Sequence, residues 1–253
     1  MMQDVVLFGV GIVIGVMNAI AGGGMLLGFP ILLAFGMSPL AANVTGNVVI
    51  GASTVSSVYG YRQYLRKISP RYLLLLIPCI IGAAIGALIL RNTSSNEFQQ
   101  IVPALVGLAV ILFAFQPLLH FHLHRHIRSK RRTLRPLVII AIALLPVAIY
   151  GGYFGAGFGF VMLAFLGFTK LHEIHQMNGL KNLAGACIAF TSLICLYSTH
   201  LINWHLGLVM GAGCVLGGYY GATLTQKVSS HTLRIVVIII GVVTATYLAL
   251  RSY

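Results

Sequence analysis

Residues 18–24 read Asn-Ala-Ile-Ala-Gly-Gly-Gly, and residues 151–159 read Gly-Gly-Tyr-Phe-Gly-Ala-Gly-Phe-Gly. Each stretch interrupts an uncharged apolar run: residues 5–20 and 25–35 flank the first, residues 137–150 and 160–168 the second. Neither flank alone has the roughly 20 apolar residues that carry a helix straight across a bilayer. Glycine lets the backbone leave helical torsions, and unwound backbone survives at membrane depth only where its freed polar groups find other partners. Two such breaks between short spans decide how the rest of the chain is read.

The breaks are related. Ala21-Gly22-Gly23-Gly24 and Ala156-Gly157-Phe158-Gly159 lie 135 residues apart, and the same offset pairs Asn43 with Asn178, Asn47 with Asn182 and Ser57 with Ser192. It also pairs Gly82, Gly86 and Ala87 with Gly217, Gly221 and Ala222. Chance glycine matches are easy in a chain with 29 glycines, but paired asparagines and serines at one offset are not. The chain reads as a duplication, with a first repeat at 1–118, a basic linker at 119–135 and a second repeat at 136–253. After its short pair each repeat holds three longer apolar runs, 44–61, 72–90 and 98–118, then 183–197, 206–224 and 233–250. Five segments per repeat is an odd number, so the second repeat is expected upside down relative to the first.

Charge tests this separately. The loop at 61–71 carries Arg62, Arg66, Lys67 and Arg71, whereas its counterpart at 197–205 has no Lys or Arg. The uncharged loop at 37–43 answers to 170–181 with Lys170 and Lys181, and the nearly neutral 91–97 to 227–234 with Lys227 and Arg234. Cytoplasmic loops collect Lys and Arg, so every matched pair has opposite bias, and both termini are expected outside. The linker, with His120, His122, His124 and His126 among its basic residues, is expected to be cytoplasmic.

Composition agrees with a multi-pass membrane protein and excludes a soluble enzyme or nucleic-acid binder. Hydrophobic residues make up 58% of the 253, charged residues only 8%, and mean hydropathy is +0.96. The net charge of +13 comes largely from the two basic stretches, which explains it by topology before any ligand is invoked. Cys79, Cys187, Cys195 and Cys214 all sit in apolar runs without a CxxC pair, so no disulfide framework or metal site is expected. Asp4 and the lack of a basic start argue against a cleaved leader. The alternating His120–His126 segment would put four imidazoles on one face if extended, but a solvated basic loop is the simpler reading.

Inverted repeats are an architecture of secondary transporters, whose substrate site lies at the midplane where broken helices aim free N–H groups at an anion. The candidate cradle is the backbone at Asn18, Gly22, Gly23 and Gly24 and at Gly155, Gly157 and Gly159. Asn43 and Asn47, like Asn178 and Asn182, are spaced i and i+4 and share a helix face; their amides would be uncharged donors, with Thr45 and Lys181 within the same turns. Capping and interhelical hydrogen bonding is the competing role for these asparagines, as close helix packing is for Gly82, Gly86, Gly217 and Gly221.

Ala21-Gly22-Gly23-Gly24, then Pro30, then Ala42-Asn43-Val44-Thr45 resembles the TauE/SafE family of sulfite exporters, and the resemblance spans essentially the whole chain. The second copy departs from it: Phe158 interrupts the glycines, Phe165 replaces the proline, and Lys181 stands opposite Gly46. The resemblance implies an inner-membrane, multi-pass carrier that exports sulfite, sulfonates or related organosulfur anions, not an enzyme. None of the three acids, Asp4, Glu97 and Glu173, falls within a span, so outward flow driven by the membrane potential is expected. An anion channel of the same architecture, or a carrier of another small oxyanion or carboxylate, would share these features. The expected partners are a small anion and the lipid bilayer, with no cofactor, metal or nucleic acid; a homodimer is compatible with the pattern. His172 and His175 beside Glu173 fit either a small pH-sensitive gate or ordinary loop capping.

Overall fold

The computed structural model describes residues 2–126, 135–167, 169, 171, 173–224 and 246, and among them there is helix but no strand. The order is α1 (Met2–Ile20), α2 (Gly24–Ala34), α3 (Pro39–Gly60), α4 (Arg62–Leu65), a 3-10 turn (Pro70–Leu75) leading into α5 (Leu76–Arg91), and α6 (Ser95–His126). Then follow α7 (Arg135–Tyr153), α8 (Phe158–Gly167), α9 (Ile174–Leu196), a 3-10 turn (Tyr197–Thr199) and α10 (Trp204–Thr223). Among the described residues, four helical stretches are long and apolar enough to cross a membrane: Met2–Ile20, Pro70–Arg91, Ile174–Thr199 and Trp204–Thr223. Gly24–Ala34, Leu137–Tyr153 and Phe158–Gly167 are apolar but shorter. The segment expected at 233–250 lies outside the described residues, apart from Thr246.

Local sequence accounts for the helix limits. Ser38 accepts the Ala41 N–H at the start of α3, with Pro39 in the first turn where its missing N–H costs nothing. Ser94 and Glu97 form a capping box before α6: the Ser94 N–H donates to Glu97 Oε2 at 2.8 Å and the Glu97 N–H to Ser94 Oγ at 3.3 Å. The Ser94 N–H, then its hydroxyl, hold the Glu97 carboxyl below its ordinary range. Because α6 continues to His126, the first part of the expected linker is helical. The side chains of the alternating histidine run His120–His126 lie outside what the structure describes. Residues 127–134 of that linker lie outside the described residues.

Helix α3 carries its polar residues inward. Asn43, Thr45, Ser53, Thr54, Ser56 and Ser57 are all buried, so it is wrapped by protein rather than lipid. The outward faces are apolar: Val5 and Val13 on α1, Ile81 and Leu88 on α5, Ile139 and Ile142 on α7, and Ile194 on α9 are exposed. In water such a surface would be an aggregation liability; in lipid it is the solvated one.

Neighbour contacts give the helix directions. On α1 and α10, Gly11 meets Met210 and Gly213, Gly15 meets Cys214 and Gly218, and Val16 and Ala19 meet Gly221, so the two run the same way. On α3 and α10, Gly207 meets Thr45 and Val48 while Gly60 meets Ala222, so α3 joins that direction. Likewise α5 runs with α7: Gly82 meets Leu145 and Ala148, and Gly86 meets Ile149 and Tyr153. Helices α3 and α9 run opposite ways, since Gly51 meets Ala189 and Leu193 whereas Gly185 meets Thr54. Gly82, Gly86, Gly217 and Gly221 thus serve close helix packing, the competing role considered for them above.

Two ends follow from these directions. At one, α4 with Arg62 lies against the start of α9, where Tyr64 stacks on His175 at 4.8 Å, near the last turn of α10. At the other, Asp4 Oδ1 lies 2.9 Å from His205 Nε2, and the Asn203 N–H donates to Thr45 Oγ1 at 3.0 Å. Arg62, Lys67 and Arg71 sit over Tyr59, Tyr64 and Tyr72 at 4.2, 5.9 and 5.2 Å. That is the basic and aromatic mixture of a membrane–water interface.

Candidate functional site

Both breaks form, and both end a helix in the same manner. At the first, the Ala21 and Gly22 N–H groups reach Met17 O at 2.9 and 3.3 Å, and Gly22 takes φ +87°. At the second, the Phe154 and Gly155 N–H groups reach Tyr150 O at 2.9 and 3.3 Å, and Gly155 takes φ +76°. A left-handed torsion of this kind costs a residue with a Cβ about 1–2 kcal/mol. By hydrogen bonding Gly22 therefore answers to Gly155, two residues away from the sequence match with Gly157. The second break is the longer, and Tyr150 stitches it by donating its hydroxyl to Ala156 O at 2.8 Å.

The breaks touch. A Cβ built on Gly22 would lie 2.7 Å from Gly159 Cα, and one on Gly159 would lie 2.6 Å from Gly22 Cα. Beside this crossing lies a cavity of about 520 Å³, its mouth included, between the oppositely running α3 and α9. Asn18, Gly22 and Met25 line it from the first break, and Gly151, Phe154, Gly155, Phe158 and Gly159 from the second. From α3 come Asn43, Gly46, Asn47, Ile50 and Thr54; from α9 come Lys181, Asn182, Gly185, Ile188 and Ala189. Lys181 is the only one of these that can carry charge.

Lys181 is 2% exposed, and its ammonium donates to Asn18 O at 3.1 Å, Ala19 O at 3.0 Å and Asn178 Oδ1 at 3.2 Å. Asn18 and Ala19 belong to the last turn of α1, where carbonyls have no helical partner and the helix dipole is negative. Asn182 Nδ2 adds a bond to Ala19 O at 3.3 Å and one to Asn178 O at 2.9 Å. At the other break Asn43 Nδ2 donates to Tyr153 O, the last residue of α7, at 2.8 Å. Asn47 Nδ2 reaches carbonyls of its own helix, Asn43 O at 3.3 Å and Val44 O at 3.4 Å. The amide hydrogens of Asn43, Asn47 and Asn182, expected to face an anion, are thus directed at protein carbonyls in this conformation. What stays uncapped is the opposite pole: the N-cap of α2 is Gly23, which has no side chain to offer.

Of the residues singled out from sequence, Asn18, Gly22, Asn43, Asn47, Gly155, Gly159, Lys181 and Asn182 line the cavity. Five do not. Thr45 is turned to the Asn203 N–H. Gly23 faces the Phe160 ring, Gly24 faces Ile14 and Asn18, and Gly157 faces Ala109 on α6. Asn178 acts through Lys181. Sequence reading missed Ile50 and Thr54, although 43, 47, 50 and 54 follow one helix face, and missed the apolar wall of Phe154, Phe158 and Ile188. Among the described residues no cluster of three metal-ligating side chains occurs.

A profile of the family described as "Sulfite exporter TauE/SafE" matches residues 7–248. A Haemophilus influenzae protein named "Probable membrane transporter protein" is 29% identical over 246 residues, covering 93% of this chain and 90% of its own. "Probable membrane transporter protein YfcA" of Escherichia coli K12 is 29% identical over 256 residues, 98% of this chain and 90% of its own. "Probable membrane transporter protein YunE" of Bacillus subtilis is 26% identical over 277 residues, 95% and 96% respectively. No solved structure matches.

Proposed function

The chain belongs to the sulfite exporter TauE/SafE family and is a multi-pass membrane transporter, and from that premise we propose that it carries small sulfur-containing anions out across the inner membrane by alternating access. Sulfite and small sulfonates are the substrate class. The carrying observation is the crossing of the two breaks at Gly22 and Gly159 beside a cavity whose one ionisable wall residue is the buried Lys181.

The anion lies beside Gly22 and Gly159, close to the N-terminal turns of α2 and α8, whose helix dipoles turn their positive ends toward the crossing. Lys181 supplies a full charge where the local dielectric makes it count for more than in water. Phe154, Phe158 and Ile188 form the apolar side, suited to the carbon stem of a sulfonate. The asparagines hold the broken helix ends and keep the cavity shape.

The repeats are inverted, each with five membrane segments, and rock against each other around this site. The directions of the helices support this, because α3 runs with α1 and α10 while its counterpart α9 runs against it. The Arg62 to Arg71 end faces the cytoplasm and the Asp4 to His205 end faces outward, as the distribution of Lys and Arg requires. With the inside negative, each anion gains about 2.3 kcal/mol per 100 mV on leaving, and no proton-carrying carboxylate at membrane depth is needed. Thermal melting of the purified protein with sulfite, sulfate, thiosulfate, taurine and sulfoacetate tests the substrate class. A bound anion must raise the melting temperature with concentration; if none of the five does so while a carboxylate does, the sulfur reading is wrong.

A further inference from the structure

Lys181 is placed oddly for a residue whose task is only to attract an anion. All three of its N–H donors are engaged, at 3.0–3.2 Å, by two carbonyls at the C-terminal end of a broken helix and one amide oxygen. Carbonyls of an interrupted helix end, completed by a side-chain oxygen, are the ligand set with which membrane carriers of this general build hold a small monovalent cation. A second feature points the same way. The matched position on α3 is Gly46, and a side chain there would run into the Met25 thioether, so this break has no room for a lysine of its own. The α7 end it faces is closed instead by the neutral amide of Asn43. A cation is thus installed at one break only.

We infer that the ammonium of Lys181 is a resident, covalently tethered cation occupying the place of a co-transported one, so that this carrier moves its anion without taking up sodium or another free cation. The inference rests on the carrier reading above and concerns its coupling. The tethered charge neutralises about one negative charge of the guest and keeps the α1 end closed in the absence of any ion gradient. Over a full cycle the lysine makes no net displacement, because it returns with the empty carrier. Each turnover therefore still moves the whole charge of the anion, and the membrane potential acts on all of it.

The test compares wild type with Lys181→Ala, which empties the cation place, and Lys181→Met, which fills it with an uncharged chain. In proteoliposomes wild-type anion flux should agree within about twofold in sodium, potassium and N-methylglucamine media, a difference too small to reflect a bound-ion requirement. Lys181→Ala should lose at least about tenfold of its flux in N-methylglucamine, the loss of one charge-assisted site, and recover with ammonium or sodium. Ammonium should also raise the melting temperature of Lys181→Ala, whereas tetramethylammonium, too large for the place, should not. Lys181→Met should recover with neither ion.

A sodium requirement in the wild type, or a Lys181→Ala protein indifferent to every cation in both flux and melting, overturns the inference. If wild type moves no sulfur anion but ammonium still stabilises Lys181→Ala selectively, the carrier reading fails and the cation place stands. Should neither variant fold with or without ammonium, the wild-type comparison decides: equal flux in sodium and N-methylglucamine is required.

Discussion

At the first break the free carbonyls of α1 are met by a charged Lys181 and by Asn182, and Gly22 is pressed against the partner break. At the second, the end of α7 is met by a neutral Asn43, an extra residue lengthens the turn, and Tyr150 ties it together. A Cβ built on Gly155 would meet only the Gly151 carbonyl oxygen, at 3.3 Å. The same difficulty, a helix stopping inside lipid, is thus solved once with charge and tight backbone contact and once with hydrogen bonds and slack. The asymmetry places the side-chain charge of the cavity on one side.

The difference can be broken by substitution. Gly22→Ala suffers both the left-handed torsion and the Gly159 backbone at 2.7 Å. Its loss should reach about 3 kcal/mol or more, the torsional cost and the overpacking cost together. Gly155→Ala suffers chiefly the torsion and should lose about 1–2 kcal/mol. Melting of the two proteins in detergent reads the gap, and equal losses would mean the breaks are not loaded differently.

The second contrast is in charge. Lys181→Ala should weaken binding of a sulfur anion by about 10- to 100-fold, roughly 1.4–2.8 kcal/mol, as one charge leaves a poorly screened cavity. Unchanged affinity by titration calorimetry would leave Lys181 with helix capping alone. Its counterpart, Asn43→Leu, removes one neutral hydrogen bond to Tyr153 O and should cost about 1 kcal/mol of stability. Its effect on anion affinity should be well below that of Lys181→Ala, and an equal effect would erase the distinction between the ends.

Thr45→Val is the smallest change. Thr45 Oγ1 accepts the Asn203 N–H outside the cavity, so stability should fall by about 0.5–1.5 kcal/mol with anion affinity untouched. A drop in affinity comparable to that of Lys181→Ala would bring Thr45 back to the site.

The breaks were legible in the sequence, because a glycine run inside an apolar segment stops a helix where lipid would otherwise demand one. Eight of the residues that line the cavity were legible with them. The direction of an amide was not. Asn43 and Asn182 looked like anion donors at i and i+4 spacing, yet their hydrogens go to Tyr153 O and Ala19 O, carbonyls 110 and 163 residues away. Such partners are created only when the two halves of the chain meet. The offset of 135 also concealed a shift: α3 and α9 start 135 apart, but the turns at Gly22 and Gly155 align at 133, because the connection from α8 to α9 is two residues longer than that from α2 to α3. The apolar wall was missed for another reason, since Phe and Ile beside a glycine break read as ordinary lipid-facing or core residues until the cavity is drawn.

Whether an anion is carried around the crossing of the two breaks is decided by counterflow. Proteoliposomes loaded with unlabelled sulfite or a small sulfonate should take up trace labelled anion transiently above equilibrium. That uptake should saturate, should respond to an imposed potential, and should be lost in Lys181→Ala without added cation. Conductance that rises linearly with concentration, with no counterflow, would rule out a carrier and make the cavity part of a channel.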